Sequence, residues 1–217
     1  MSNPNFAYID TELSAVNTIL GSIGQGPYQE LDKENPEIFL AFNILQDALM
    51  DVLNEGWTFN REENITQQPD VNTGWIEVPY NALRFDISKG QSVKTTDVVV
   101  RNGRLWDKMA HTDVFTEDVD VDIVWLFGFD QDTADDASSG QSIPQVFKRY
   151  IVAKACTKAA LSMLTNMNLA EAYRAQETLN RAACQEYETD QGDYSWLGTP
   201  NNTVYSSYQP YQALARS

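Results

Sequence analysis

The residues of this chain that could do chemistry are its carboxylates, and the densest run of them alternates with apolar residues. That run consists of Asp118, Asp120 and Asp122. Alternating acidic residues open the calcium loop of helix-loop-helix proteins, which also needs glycine at its sixth position and glutamate at its twelfth. Counted from Asp118, those positions hold Ile123 and Phe129, and the acidic stretch from Asp130 lacks both residues as well. We therefore expect a solvated acidic face and no metal site.

Catalysis by carboxylate pairs is a second hypothesis, since glycoside hydrolysis uses one carboxyl as acid and another as base or nucleophile. The 31 acidic residues make such pairs unavoidable, and no spacing singles one out. The sole histidine, His111, lies in a predicted loop, and no G-x-S-x-G nucleophile motif occurs. The sequence thus predicts no catalytic residue and no cofactor. A polysaccharide-active hydrolase is kept as the alternative function.

The charge balance bears on partners. Against 31 acidic residues stand 15 basic ones, a formal charge of -16. Phosphate backbones are bound mainly by clustered Lys and Arg, so tight nucleic-acid binding is disfavoured. The excess of negative charge fits the wall of a conduit that repels passing DNA. It fits an ordinary acidic, soluble surface equally well. Cys156 and Cys184 fall in predicted helices, where we expect small buried hydrophobes. No signal peptide or membrane span is recognisable, so we expect a soluble product.

Apolar residues at helical spacing predict four helices. The first is capped by Thr11, and the second starts at Asn35 and Pro36 and runs to Gly56. The third opens after Pro144, and the fourth starts at Asn168, with Glu171 completing a capping box.

Strand periodicity occupies the middle of the chain. Strands are predicted at residues 75–78, 83–87, 98–100 and 118–125. Asn102 and Gly103 tolerate the positive φ of a tight turn, which predicts a hairpin there. In the last strand, strict alternation places the three aspartates on one face and apolar residues on the other.

The order of elements predicts an α+β fold, in which N- and C-terminal helices build one bundle and a β-rich domain is inserted between them. The joint is Gly56–Trp57, where we expect Trp57 to be buried. The predicted parts are a helical half at 1–56, the β-rich domain at 57–130, an acidic loop at 131–142, a second helical half at 143–192 and an extended arm at 193–217.

Five separated segments resemble the tail tubular protein A family of short-tailed phages, the adaptor or gatekeeper. They agree in order and approximate spacing over most of residues 8 to 197. The segments are Glu12–Gly24; Gly56–Asn60 with Glu62–Glu63 and Ile65–Thr66; Pro69–Asp70; Arg149–Ala155; and Cys184–Glu188. The middle β region, the acidic loop and the tail after Leu197 depart from the pattern, so contacts made there are specific to this protein.

The resemblance implies a non-enzymatic structural virion protein of the phage tail, made in the bacterial host cytoplasm. It implies a ring, expected to be dodecameric, that joins the portal protein to the nozzle, tail tubular protein B. DNA is expected to pass through the lumen of the ring without being bound specifically. The protein itself is not expected to insert into a membrane. The ring is expected to help retain packaged DNA, to form part of the ejection conduit and to support tail-fibre attachment.

A closed ring requires each subunit to present two different complementary patches. We expect aromatic residues near turns and in the polar arm to form subunit or partner contacts: Trp75, Tyr80, Trp106, Tyr205, Tyr208 and Tyr211. We expect the acidic strand face to line the DNA path through Asp118, Asp120 and Asp122.

Overall fold

A computed structural model describes residues 11–88, 97–130 and 143–192. In this part of the chain, two helices precede the antiparallel strands and two follow them, which confirms the α+β class. In chain order the elements are α1 (Glu12–Ser22), α2 (Pro36–Leu53), a 3₁₀ turn (Thr58–Asn60), β1 (Arg61–Gln67), β2 (Ala82–Ile87), β3 (Val98–Arg101), β4 (Arg104–Asp107), β5 (Val119–Trp125), α3 (Gln145–Ser162) and α4 (Met167–Gly192).

The predicted starts of the first two helices are confirmed. Thr11 Oγ1 accepts a hydrogen bond from Ser14 N at 3.2 Å, and Asn35 Oδ1 accepts one from Glu37 N at 3.0 Å. Each bond satisfies a backbone donor that the first helical turn leaves without a partner. Pro36 follows the Asn35 cap at the first helical position, where its missing N–H costs nothing.

The predicted start of the fourth helix at Asn168 is wrong by two residues. Asn166 is the cap, because its Oδ1 accepts from Leu169 N at 3.1 Å and its carbonyl accepts from Ala170 N at 3.0 Å. Asn168 lies inside the first turn of α4. Either asparagine could cap a helix, and the chain turns at Thr165, whose φ is 51°, to present the earlier one.

The strands form a three-stranded antiparallel sheet in the order β1-β5-β2 and a separate hairpin of β3 and β4. The predicted hairpin turn is confirmed, with φ of 52° at Asn102 and 73° at Gly103. The segment predicted as a strand at 75–78 forms only an isolated bridge, between Glu77 and Arg104. Pro79 follows it and supplies no N–H to extend a ladder.

Two groups of buried side chains form the core of the described residues. The larger one joins all four helices with Trp57, Phe127 and Phe129. The smaller one lies among the strands and includes Val119, Val121 and Ile123, the apolar face of β5. The β region thus has apolar residues of its own, while its ends pack on the helices. The division into domains stays a prediction, and the acidic loop and the C-terminal arm lie outside the described residues.

The cap assignment predicts opposite effects of two similar substitutions. Asn166→Ala removes the acceptor for Leu169 N and should lower the free energy of unfolding by about 1 kcal/mol. Asn168→Ala replaces an interior asparagine with the best helix former and should be neutral or slightly stabilising. Urea unfolding followed by circular dichroism measures both, and equal losses would contradict the assignment of the cap to Asn166.

Candidate functional site

The joint between helix and strands, residues Gly56–Asn60, is built around a glycine. The helix predicted to reach Gly56 ends earlier, at Leu53, and Gly56 N donates to the Leu53 carbonyl at 3.1 Å. Gly56 has a φ of +79°, and a Cβ there would lie 3.3 Å from Val124 Cγ2. Glycine therefore serves both the left-handed turn and the close approach of α2 to β5.

Trp57 fills the space beside that turn, as expected. It is 8% exposed, and its indole N–H donates to the Val52 carbonyl at 2.9 Å. Its ring lies 5.0 Å from the ring of Phe147 and 6.5 Å from that of Tyr150, both on α3. Trp57 thus ties the end of α2 to the third helix.

Asn60 holds the joint by hydrogen bonds and was not identified from the sequence. Its side chain is fully buried, and its Oδ1 accepts from Trp57 N at 2.9 Å. Its Nδ2 donates to the carbonyls of Leu53 at 2.9 Å and Trp125 at 3.0 Å. One amide therefore connects the last turn of α2, the joint and the central strand β5.

A charged cluster covers the joint from the side of α3 and α4. Glu55 accepts from Tyr150 Oη at 3.0 Å and from Arg181 Nη2 at 3.1 Å, and Lys154 Nζ lies 3.9 Å away. Burial raises the pKa of Tyr150, and the hydrogen bond to Glu55 raises it further. Tyr150 therefore stays a protonated donor at every physiological pH. The cluster draws on the turn after α2 and on α3 and α4, so no sequence spacing indicates it.

The acidic face of β5 is present as expected, and each carboxylate accepts from β1 or the residue after it. Asp118 Oδ2 accepts from Gln68 Nε2 at 3.4 Å, and Asp120 Oδ1 accepts from Thr66 Oγ1 at 2.7 Å. Asp118 is exposed and Asp120 is half-buried. Both fit the expectation of a solvated face.

Asp122 does not fit that expectation, because its side chain is only 10% exposed. It accepts from Ser88 Oγ at 2.5 Å, from Asn64 N at 3.1 Å and from Arg61 Nη2 at 3.2 Å. Partial burial acts to raise the pKa of Asp122, but these hydrogen bonds outweigh it and hold the pKa below its usual value. Asn64 has a φ of 58° at a bulge in β1, so Asp122 anchors that bulge.

The described residues contain no group of three or more His, Cys, Asp or Glu side chains placed to hold a metal ion. Cys156 and Cys184 are buried free thiols, as expected. Burial raises the pKa of both, that of Cys184 to about 12, so neither forms a thiolate near neutral pH. None of the described helices is both long and apolar enough for a membrane span.

The aromatic residues predicted for contacts differ in their surroundings. Tyr80 is 100% exposed, whereas Trp75 and Trp106 are half-buried. The guanidinium of Arg104 lies 3.4 Å from the Trp75 ring centre, and that of Arg101 lies 5.0 Å from the Trp106 ring centre. These arginines were missed, although they flank the predicted turn. The three tail residues, Tyr205, Tyr208 and Tyr211, lie outside the described residues. The contact role of all six stays a prediction.

Comparison with known proteins identifies the family. The family model described as "Tail tubular protein" matches residues 13–194, which contain the joint and every described strand and span all but the first residue of α1. The chain belongs to the tail tubular protein family. It is a structural protein of a phage tail, which confirms the resemblance found in the sequence.

A curated member of this family is similar to part of the chain. Tail tubular protein A of Klebsiella phage KP34 is 31% identical over 120 residues. The aligned part covers 55% of this chain and 61% of that protein's length. The tail tubular family therefore fixes the class of protein.

The burial of Trp57 predicts a large contribution of this side chain to the free energy of unfolding. Trp57→Ala should lower the free energy of unfolding by about 3 to 5 kcal/mol, because it empties the space between α2 and α3. Trp106→Ala is the matched control, since Trp106 is half-buried outside both core groups and should cost about 1 kcal/mol or less. Chemical unfolding measures both variants, and similar losses would refute the central role of Trp57.

The environment of Asp122 predicts a pH dependence of stability. A carboxyl with a lowered folded-state pKa stabilises the fold above its unfolded pKa of about 3.9 and loses that contribution as pH falls through the folded value. Asp122→Asn should therefore cost about 2 kcal/mol at neutral pH, and the difference from wild type should shrink in acid. Asp118→Asn is the control, expected to change little at any pH. Unfolding measured from pH 7 to pH 3 tests this, and a pH-independent difference would contradict it.

Proposed function

We propose that this chain is the adaptor of the tail, a ring that joins the portal protein to the tubular nozzle. The observation that carries the proposal is the match to the tail tubular family over residues 13–194, supported by likeness to a relative named tail tubular protein A. Tail fibres attach to the outer surface, and packaged DNA is retained above the ring until ejection. We infer a non-enzymatic role and a dodecameric ring.

The surface charge supports a conduit role. The formal charge of -16 repels the phosphates of a duplex, so DNA is confined without being gripped. The acidic face of β5, with Asp118 and Asp120 accessible to solvent, is the proposed lining. Asp122 belongs to the same face but is held by Arg61, so it shapes the strand pair more than the potential in the lumen.

The architecture supports two separate sets of contacts. The helices and the strands each bury side chains of their own, and the joint holds them together through Trp57 and Asn60. A ring subunit must bind its neighbours on two faces and its axial partners on two ends. Trp75, Tyr80 and Trp106, all in the β region, are the proposed contact residues among those described.

A cryo-electron map of the isolated tail tests the proposal. We expect this chain as a closed ring between portal and nozzle, with the acidic face of β5 toward the lumen. A position in the nozzle itself or in a fibre would overturn the adaptor role. A ring whose β5 face points away from the lumen would overturn the lining assignment and leave the adaptor role standing.

A further inference from the structure

The β3–β4 hairpin carries an unusual surface that the adaptor role does not by itself explain. In the hairpin register Val99 lies opposite Trp106 and Arg101 lies opposite Arg104, so these four side chains share one face. Trp75 adds to that face by stacking on Arg104. We call this set of five residues the hairpin surface.

Two arginines directly opposite each other are unfavourable in an isolated hairpin, since like charges across a strand pair repel. The chain holds 15 basic residues against 31 acidic ones, so pairing two of them here runs against its own charge balance. Nearby carboxylates relieve only part of this repulsion: Glu77 lies opposite Arg104 in the isolated bridge but forms no ion pair with it within 4.0 Å. Arg104 has one weak ion pair, 3.9 Å to Asp113, and Arg101 has no carboxylate within ion-pair distance among the described residues. A local arrangement that costs stability indicates a role in binding.

The chemistry of the hairpin surface fits an acidic protein partner. Arginine and tryptophan are the residues most enriched among those that dominate protein interfaces, and a guanidinium stacked on a ring keeps its N–H edge free for a carboxylate. A DNA duplex fits less well, because the two arginines are set in a chain of charge -16 that repels phosphates. A second copy of this chain carries the same net charge, but it offers exposed apolar side chains beside its carboxylates, which a duplex does not.

One described surface complements the hairpin surface in both charge and polarity. The outer face of α2 exposes Phe39 at 48%, Leu40 at 43% and Met50 at 44%. Asp47 is exposed on the same face and makes no ion pair or hydrogen bond with the described residues, unlike Asp51, which lies 2.8 Å from Lys158. These side chains recur at helical spacing opposite the buried stripe of α2, so they form one continuous patch.

We propose that the hairpin surface of one copy binds the outer face of α2 in a second copy. This inference rests on the proposed ring, whose head-to-tail contact needs two different patches on each subunit. Arg101 and Arg104 bind Asp47 of the neighbour, and Trp106 packs against its exposed apolar side chains. The repulsion between the two arginines is then relieved on assembly, which favours the ring over the free chain.

Zero-length cross-linking in purified virions tests the contact. Arg101→Lys keeps the positive charge and introduces an amine, which a carbodiimide couples to a carboxylate that it touches. We expect covalent dimers of this chain, with the link mapped by mass spectrometry to Asp47. Arg174→Lys, on the exposed side of α4, is the matched control and should give none. Links to another virion protein, or no dimers above the control, would overturn the proposal.

Charge reversal gives a second measurement. Arg101→Glu and Asp47→Lys should each lower the number of chains per virion by about tenfold, and the two together should restore it. Arg174→Glu, with the same change in charge, should have no effect. Failure of the double variant to recover would overturn the pairing. A wild-type chain absent from purified tails would instead refute the proposed function, so the two failures are distinguishable.

Discussion

The structure depends on one buried amide. Asn60 is fully buried and satisfied on every side: it takes the N–H of Trp57 and gives its own two hydrogens to carbonyls of α2 and β5. Leaving any of these buried polar atoms without a partner would lower the free energy of unfolding by more than one hydrogen bond contributes. The Asn60 side chain therefore fixes the positions of α2, the joint and β5 together. Asn60 already holds α2 and β5 together. Gly56 then provides the turn at the end of α2, and Trp57 fills the space between α2 and α3.

Sequence reasoning succeeded where the cause is local. Asn102 and Gly103 adopt positive φ because asparagine tolerates that conformation and glycine has no Cβ to oppose it. Thr11 and Asn35 cap helices through bonds that span two or three residues. The burial of Trp57 was also predictable, because a large aromatic ring directly after the end of an amphipathic helix lies close to the apolar face of that helix. The alternation of β5 follows from strand geometry alone.

It failed where the cause is tertiary. Asn60 and Glu55 bind residues 65 and 126 positions away, which no spacing reveals. The solvated face was predicted for all of β5, yet Asp122 is enclosed because a bulge in β1 brings Asn64 and Arg61 against it. The cap of α4 was placed at Asn168 because both asparagines carry the same signal, and only the turn at Thr165 selects between them.

Negative and positive side chains lie at different places in this fold: carboxylates at β5 and a pair of arginines at the β3–β4 turn. This arrangement connects the fold to the proposed function. Asp120 on β5 and Asp118 directly before it accept hydrogen bonds from Thr66 and Gln68, so both carboxylates keep a fixed direction; in the proposed conduit they would act together as a repulsive wall. Some cations form ion pairs within the molecule, as Arg61, Lys154 and Arg181 do, whereas Arg101 and Arg104 lie together at the β3–β4 turn. In the proposed ring, each acidic subunit must still bind acidic neighbours. The proposed contact through Arg101 and Arg104 would meet this requirement, because ion pairing acts within a Debye length of about 8 Å and leaves the charge of the remaining surface unchanged.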